Sequence, residues 1–188
     1  MAARAGIGLC WLVFVGFWVL SAAATKRTVE RPAGQAVYRV FQLVAYALLW
    51  LGFDLRRAGV LEQRLLPHSP VLAVTGVLIA AAGVALAIWA RATLGTNWSA
   101  TVTRKENHTL VQGGPYRVVR HPIYTAILML FIGTAVAIGT VGTVAALAFA
   151  VVSILIKAPQ EERLMTTTFP DEYAAYKSRT KMLVPLVF

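Results

Sequence analysis

The chain has 188 residues, of which 58% are hydrophobic and only 14% are charged, and its mean hydropathy is +0.66. Soluble domains are about 45–50% apolar and about 25% charged, so these charges are too few to solvate a compact water-soluble domain of this size. The composition therefore indicates an integral membrane protein. A net charge of +10 would suggest nucleic-acid binding in a soluble protein. Membrane proteins, however, gather Lys and Arg on their cytoplasmic side, so we predict no nucleic-acid partner.

Cysteine and glycine usage exclude several classes of site. The single cysteine, Cys10, rules out an internal disulfide, and with three scattered histidines it argues against a Cys/His zinc site. The sequence has no Gly-rich phosphate loop and no dinucleotide-binding glycine motif after a strand. We therefore expect no bound metal.

Four apolar stretches predict five transmembrane helices, because one crossing needs about 20 residues. Residues 7–24, 37–53 and 70–90 each provide one span. Residues 122–156 carry no charge and are too long for one crossing, and Gly139 and Gly142 lie in their middle, so we predict a hairpin of two spans there. The fold class is an all-α polytopic bundle, with residues 1–188 as one membrane domain and a short cytosolic helical segment after the last span.

The distribution of basic residues predicts the orientation. With the N-terminus outside and the C-terminus in the cytoplasm, fourteen of the 18 Lys and Arg residues fall on the cytoplasmic side. The polar residues also concentrate on that side, so we expect any active site at the cytoplasmic membrane face. Residues 1–24 fit a cleavable signal peptide as well as a retained span, and the sequence leaves both open.

The residues before the fourth span predict a binding site. Pro122 suits the first position of a helix, which leaves His121 just outside it. The N–H groups of Ile123 and Tyr124 would then lack helical partners, and a helix N-terminus of this kind suits a carboxylate or phosphate.

Aromatic and basic residues surround that helix start. Tyr116 and Tyr124 offer flat faces that suit an aromatic or nucleoside ligand. The alternative is that Arg117 and Arg120 anchor lipid phosphates and the tyrosines belong to the interfacial aromatic belt. His108 taken alone is typical of a solvated loop histidine.

The C-terminal segment carries the second candidate cluster. Glu161 and Glu162 lie directly beneath the last span of a chain that has only eight acidic residues. Lys157 shares a helix face with Glu161, and Pro159 is expected to kink that turn. Pro170 predicts the start of a second short helix, one face of which carries Tyr173, Tyr176 and Arg179. An acidic residue at the membrane favours a functional site, although an amphipathic helix pair with a Lys157–Glu161 salt bridge is the alternative.

Several of these motifs, in this order and spacing, resemble the isoprenylcysteine carboxyl methyltransferase family, a group of membrane methyltransferases related to the phospholipid methyltransferases. The motifs are His108-Thr-Leu-Val, Gly-Pro-Tyr116, Arg120-His-Pro-x-Tyr124, the hairpin, Glu161-Glu162, Phe169-Pro-Asp-Glu-Tyr173-x-x-Tyr176-x-x-Arg179 and Pro185. The resemblance covers residues 94–185. It implies an S-adenosylmethionine-dependent methyltransferase whose cofactor pocket opens to the cytosol, with a second opening that faces lipid.

The resemblance also implies residue roles. The residues that would line the cofactor are His108, Thr109, Leu110, Val111, Tyr116, His121, Pro122, Ile123, Tyr124 and Glu161. Lys157 stands where eukaryotic members have an arginine near the substrate carboxylate, and lysine cannot make the planar two-point grip of arginine. Arg120 and Arg179 are therefore further candidates for orienting the acceptor. The expected partners are membrane lipids and a lipophilic small-molecule or prenylated substrate.

Three alternatives remain at this stage. An amine acceptor, as in phospholipid methyltransferases, would need a base, for which Glu162 is the nearest candidate. A membrane sterol-type reductase that uses NADPH shares the general layout, and a non-catalytic membrane protein would need no cofactor pocket. The methyltransferase hypothesis makes one geometric demand, which is that Tyr116, His121, Tyr124 and Glu161 surround a single cavity.

Overall fold

The computed structural model describes residues 2–22, 28–30, 35–53, 59–98, 104–105 and 109–185. These residues form an all-α bundle with the helices α1 (Ala2–Ala22), α2 (Ala36–Phe53), α3 (Pro70–Leu94), α4 (Pro122–Ile138), α5 (Val141–Thr168) and α6 (Pro170–Arg179). Two short strands, β1 (Thr28–Glu30) and β2 (Arg104–Lys105), pair antiparallel. The first five helices coincide with the five predicted apolar segments, which confirms the all-α bundle.

The helices differ in how far they can reach across a bilayer. Among the described residues, α1, α3 and α5 are long and apolar enough to cross a membrane, whereas α2 and α4 are shorter apolar helices. An integral membrane protein is therefore confirmed, and the number of five crossings stays a prediction.

Helices α3 and α4 pack closely because glycines face each other along their contact. A Cβ atom added at Gly76 would lie 2.5 Å from the Gly133 carbonyl oxygen and 2.5 Å from the Ala137 amide nitrogen. A Cβ at Gly83 would lie 2.8 Å from the Ala126 carbonyl oxygen. Small residues allow such close approach of helix backbones in lipid, where packing rather than water exclusion holds helices together.

Helix α5 packs along α2, and both contact α4. Their shared apolar cluster contains Ala45, Leu49, Phe131, Ala146 and Ala150. Buried polar side chains in this part of the bundle bond within it, as a helix in lipid requires. Ser153 Oγ donates to the Tyr38 carbonyl oxygen at 2.9 Å, and Trp11 Nε1 on α1 donates to Thr134 Oγ1 on α4 at 3.0 Å.

The turn between α4 and α5 is as short as the sequence predicts. Gly139 ends α4 in the left-handed region, with φ at 69°, a conformation that glycine adopts without steric cost. Thr140 then caps α5 in a reciprocal capping box with Thr143. The predicted hairpin is thereby confirmed.

The C-terminal part differs from the prediction in one respect. Helix α5 continues without a break to Thr168, so Lys157, Glu161 and Glu162 belong to the same helix as the last apolar span. Pro159 lies inside this helix and removes one backbone hydrogen bond, which does not end a helix of this length. The second short helix begins at Pro170 as predicted.

Replacing Gly76 with alanine should destabilise the bundle by about 1–3 kcal/mol, because the new methyl group overlaps the α4 backbone. Gly16→Ala is the matched control, since nothing lies within 4 Å of its added Cβ, and it should be neutral or stabilise by roughly 0.5–1 kcal/mol. Thermal unfolding in detergent measures both variants. Equal melting temperatures for the two would contradict the close α3–α4 contact.

Candidate functional site

The residues before α4 are held in place by the end of the chain. The Arg120 amide donates to the Lys181 carbonyl oxygen at 2.8 Å, and the His121 amide donates to the Met182 carbonyl oxygen at 3.1 Å. Thr125 Oγ1 donates to the Leu183 carbonyl oxygen at 2.6 Å. These bonds place Arg120 and His121 against α5 and α6, so two segments that are 60 residues apart form one structure.

A tight turn positions Tyr116 beside the same site. Residues Gly114–Arg117 form one turn of 3-10 helix, and Gly114 starts it with φ at 56° and with Thr93 packed against its Cα. The Tyr116 carbonyl oxygen accepts a hydrogen bond of 2.7 Å from the hydroxyl of Tyr176 on α6. Burial raises the pKa of Tyr176 to about 12, so its hydroxyl stays protonated and continues to donate.

The start of α4 confirms one prediction and corrects another. Pro122 is the first helical residue and His121 precedes it, as predicted. The prediction that the Tyr124 amide lacks a helical partner is wrong, because that amide donates to the His121 carbonyl oxygen at 2.9 Å. The first turn closes tightly on this carbonyl oxygen, which also accepts a hydrogen bond of 3.1 Å from the Thr125 amide. The Tyr124 amide is therefore unavailable to an anionic ligand.

Glu162 is the centre of a buried ion network. Its carboxylate lies 2.6 Å from Arg120 Nε and 2.9 Å from Lys177 Nζ. His121 Nε2 lies 3.5 Å from the same carboxylate, at ion-pair rather than hydrogen-bond distance. Arg120 also donates to the Thr180 carbonyl oxygen. Its guanidinium is thus committed to the protein, so it is better suited to hold the site together than to orient an acceptor.

His121 lies between the two neighbouring carboxylates. Its Nδ1 atom is 3.5 Å from Glu161 Oε2, and its ring stacks on Tyr124 with 5.3 Å between centroids and 8° between planes. Burial alone would lower the pKa of His121, but Glu161 and Glu162 outweigh it, so the pKa is raised. Tyr124 Oη completes the arrangement by donating to Glu161 Oε1 at 2.6 Å. Glu161 is thereby fixed in one orientation.

These side chains surround one cavity of about 270 Å³, near the small end of the roughly 300–1,000 Å³ that ligand pockets occupy. Tyr116, His121, Tyr124 and Glu161 all line it, as the methyltransferase hypothesis requires. The other predicted site residues that line it are Thr109, Leu110, Val111, Arg120, Ile123 and Lys157.

Two of the predicted site residues that the structure describes do not line the cavity. Pro122 is fully buried next to it. Arg179 is exposed and donates to Gln112, so the structure does not bring it to the site. On the same helix, Tyr173 and Tyr176 are buried and line the cavity, whereas Arg179 at the end of α6 points to solvent. His108 lies outside the described residues.

Lys157 and Glu161 are one helical turn apart on the cavity wall. Lys157 is buried, and its Nζ atom lies 5.1 Å from the centroid of the Tyr124 ring and 5.4 Å from that of the Tyr38 ring. These distances place the cation over aromatic faces, which attract it. Of the three basic residues predicted to orient an acceptor, Lys157 is the one whose surroundings suit that task.

The sequence analysis missed the contribution of the first helices. Phe14 and Trp18 from α1, and Gln42 and Tyr46 from α2, line the cavity, as does Trp98 after α3. One signal was present, because Gln42 is a polar side chain inside an apolar helix, and such residues tend to face a functional interior. The apolar residues of α1 gave no such signal.

The arrangement can hold a ligand that combines a positive charge with a flat aromatic group. The Glu161 side chain is 23% exposed and lines the cavity, so its carboxylate would face a cation that binds there. The rings of Trp98, Tyr116 and Tyr173 give the same cavity aromatic surfaces. A cation that binds here meets a carboxylate that is already oriented, so little ordering accompanies binding.

The chain is similar to one protein family and to several known proteins. The family model described as phospholipid methyltransferase matches residues 71–172, just over half of the chain. The cobalt-zinc-cadmium resistance protein CzcN of Cupriavidus metallidurans is 37% identical over 120 residues, which cover 62% of this chain and 50% of that protein. Protein-S-isoprenylcysteine O-methyltransferase B of Arabidopsis thaliana is 35% identical over 89 residues, covering 46% of this chain and 44% of that protein.

A third relative is methanethiol S-methyltransferase 1 of Bradyrhizobium diazoefficiens, which is 37% identical over 70 residues. This match covers 37% of the chain and 24% of that protein. The chain therefore spans half or less of the length of these curated relatives.

Glu162→Gln should destabilise the protein by about 3–5 kcal/mol, because it leaves the buried Arg120 guanidinium without its counter-charge. Glu172→Gln is the control, since Glu172 is exposed on α6. Thermal unfolding in detergent and the rate of proteolysis after α5 measure the effect. Two variants of equal stability would show that the network does not hold α6 in place.

Protonation of His121 should make stability depend on pH. Because its pKa is raised above the ordinary value of about 6.5, its ion pairs with Glu161 and Glu162 contribute fully below that pH. This contribution is lost as pH rises through the raised pKa. The melting temperature of His121→Gln should change less with pH than that of the wild type across this window.

The exposed His68 provides the control for that measurement. His68→Gln should keep the pH dependence of the wild type. If His68→Gln flattened the curve and His121→Gln did not, the assignment to His121 would be wrong.

Proposed function

Because the chain belongs to the phospholipid methyltransferase family, we propose that it is an S-adenosylmethionine-dependent methyltransferase of the membrane that acts on a lipophilic acceptor. Membership of this methyltransferase family also confirms the resemblance drawn from the motifs of residues 94–185. The observation that carries the proposal is the Glu161 carboxylate, which Tyr124 and His121 hold at the wall of the cavity.

The residues of the cavity fit S-adenosylmethionine. Glu161 opposes its positive charge, and Tyr116 and Trp98 offer flat surfaces to its adenine. Residues 109–111 line the same cavity, and His108 is proposed to take part in binding the cofactor. His121 and Tyr124 act through Glu161 by fixing the position of its carboxylate.

Methyl transfer of this kind requires the protein to align the two reactants and does not require a catalytic dyad. S-adenosylmethionine supplies a methyl group that its sulfonium already activates. The chain's own residues would align the acceptor with that group and exclude water from the cavity. An acceptor that is already anionic needs no base.

Lys157 is proposed to orient the acceptor. It is buried at the cavity wall and is a hydrogen-bond donor there. The names of two relatives specify O-methylation of a protein S-isoprenylcysteine and S-methylation of methanethiol. A carboxylate oxygen and a thiolate sulfur are the anionic nucleophiles that such reactions can use. We propose an acceptor of this kind, an anionic nucleophile carried by an apolar group, of which a prenylcysteine carboxylate is the large example and a short alkyl thiolate or carboxylate the small one.

Amine methylation is less well supported. Glu162, the candidate base, pairs with Arg120 and Lys177 and does not line the cavity. A carboxylate held by two cations is a weak proton acceptor, because protonation would forfeit both ion pairs. Membership of a methyltransferase family also disfavours the reductase and non-catalytic alternatives.

We further propose the membrane arrangement. Five crossings with the N-terminus outside would bring the basic residues and the ion network to the cytoplasmic face. The cavity would then open where soluble S-adenosylmethionine is present. In this arrangement α1 and α2 complete the wall of the cavity, and the family-like region 94–185 provides the ion network beside it.

Binding of radiolabelled S-adenosylmethionine to the detergent-purified protein tests the proposal. Glu161→Gln keeps the shape of the side chain and removes its charge, so affinity should fall about tenfold to a hundredfold, the loss expected for one hydrogen bond to a charged group. Glu172→Gln should bind like the wild type, because Glu172 is exposed on α6. Absence of binding by a folded wild-type protein would refute the proposal.

A further inference from the structure

A smaller cavity of about 40 Å³ adjoins the main one inside the helix bundle. The two share the lining residues Gln42, Tyr46, Tyr124, Ile127 and Lys157. The residues that line only the smaller cavity come from α2, α4 and α5, and they are Ala45, Phe131, Ala150, Ser153 and Ile154. This space, named here the slot, therefore leads from the Lys157 side of the main cavity into the apolar part of the bundle.

The slot has apolar walls and a polar end. Ala45 and Ala150 are small, which leaves the space open, and Phe131 is almost fully buried against the Tyr46 and Trp11 rings. At the shared end, Lys157 provides an amine and Gln42 an amide that donates to Tyr46 Oη at 3.4 Å. An occupant would place an apolar arm in the slot and a polar atom beside Lys157.

The volume of the slot limits the length of that arm. One water-sized group needs roughly 10–15 Å³ of such space, so a slot of about 40 Å³ holds about three such groups. The core around it is close-packed, and a longer arm would have to displace Phe131 or the α5 backbone.

We propose that the slot is the acceptor-specificity site, and that it takes the short apolar arm of a small acceptor whose anionic nucleophile, a thiolate or a carboxylate, lies beside Lys157. This inference rests on the proposed methyl transfer. In that step the nucleophilic sulfur or oxygen bonds to the methyl carbon, the bond from that carbon to the donor sulfur breaks, and its electron pair stays on the donor sulfur. A carboxylate acceptor is already ionised and has no proton to lose, whereas a thiol acceptor first ionises to its thiolate and releases its proton to water.

The test compares n-alkanethiols and n-alkanoates of two to ten carbons, and a farnesylated thiol, on the detergent-purified protein. Calorimetry measures their binding without S-adenosylmethionine, and initial rates are measured with it. Affinity should rise about fourfold with each methylene that enters the slot, reach its maximum near three or four carbons, and then stop rising. The series that binds more tightly identifies the nucleophile as thiolate or carboxylate.

Two substitutions change the slot in opposite directions. Ala150→Leu fills it and should weaken binding of the four-carbon probes at least tenfold, whereas Phe131→Leu lengthens it and should move the maximum toward longer chains. Ala148→Leu is the control, because Ala148 is exposed on the same helix, and it should bind like the wild type. If Ala150→Leu does not fold, the shift in Phe131→Leu decides the question.

Three results would overturn the slot proposal. They are binding of neither probe series, tightest binding of the farnesylated thiol, and chain-length profiles that the folded slot variants leave unchanged. Failure of the proposed function is distinguishable, because it would appear as absence of S-adenosylmethionine binding in the wild type and in every slot variant.

Discussion

The buried carboxylate of Glu162 is the constraint on which the rest of the site depends. A charge that leaves water must be paired, and this one is paired by Arg120 from the segment before α4 and by Lys177 from α6. His121 also lies beside it. The network therefore joins three parts of the chain that the hairpin and the last helices separate. Each of these three parts also lines the cavity, so the ion network and the cavity exist together.

The two neighbouring glutamates have different partners, because successive residues on a helix point in different directions. Glu162 faces the protein and holds α6 and the chain before α4 together. Glu161 faces the cavity, where Tyr124 and His121 orient it. His121 lies between them and carries a raised pKa, so one imidazolium stabilises both carboxylates. The stability of the ion network and the orientation of Glu161 are thus linked through a single side chain.

Local features of the sequence predicted much of this. The uncharged run with glycines in its middle predicted the α4–α5 hairpin, and the proline positions predicted the starts of α4 and α6, because such signals act within a few residues. The motifs also predicted that Tyr116, His121, Tyr124 and Glu161 surround one cavity, and all four line it. The sequence could not predict the tertiary contacts of the site. Helix packing decides that Arg179 points outward and that Arg120 pairs with Glu162. It also decides that Trp18 and Tyr46 line the cavity. The Tyr124 amide was mispredicted because the first turn of α4 closes on the His121 carbonyl more tightly than a regular helix.

The central claim is that S-adenosylmethionine binds in the cavity that Glu161 faces. Ultraviolet crosslinking of radiolabelled S-adenosylmethionine to the detergent-purified protein, followed by mapping of the labelled peptides, tests it most directly. The account predicts label on peptides that contain residues 94–98, 109–124 or 157–176, and loss of that label when unlabelled S-adenosylmethionine is in excess. Label confined to peptides that contain no residue of the cavity wall, or label that the excess does not displace, would contradict it.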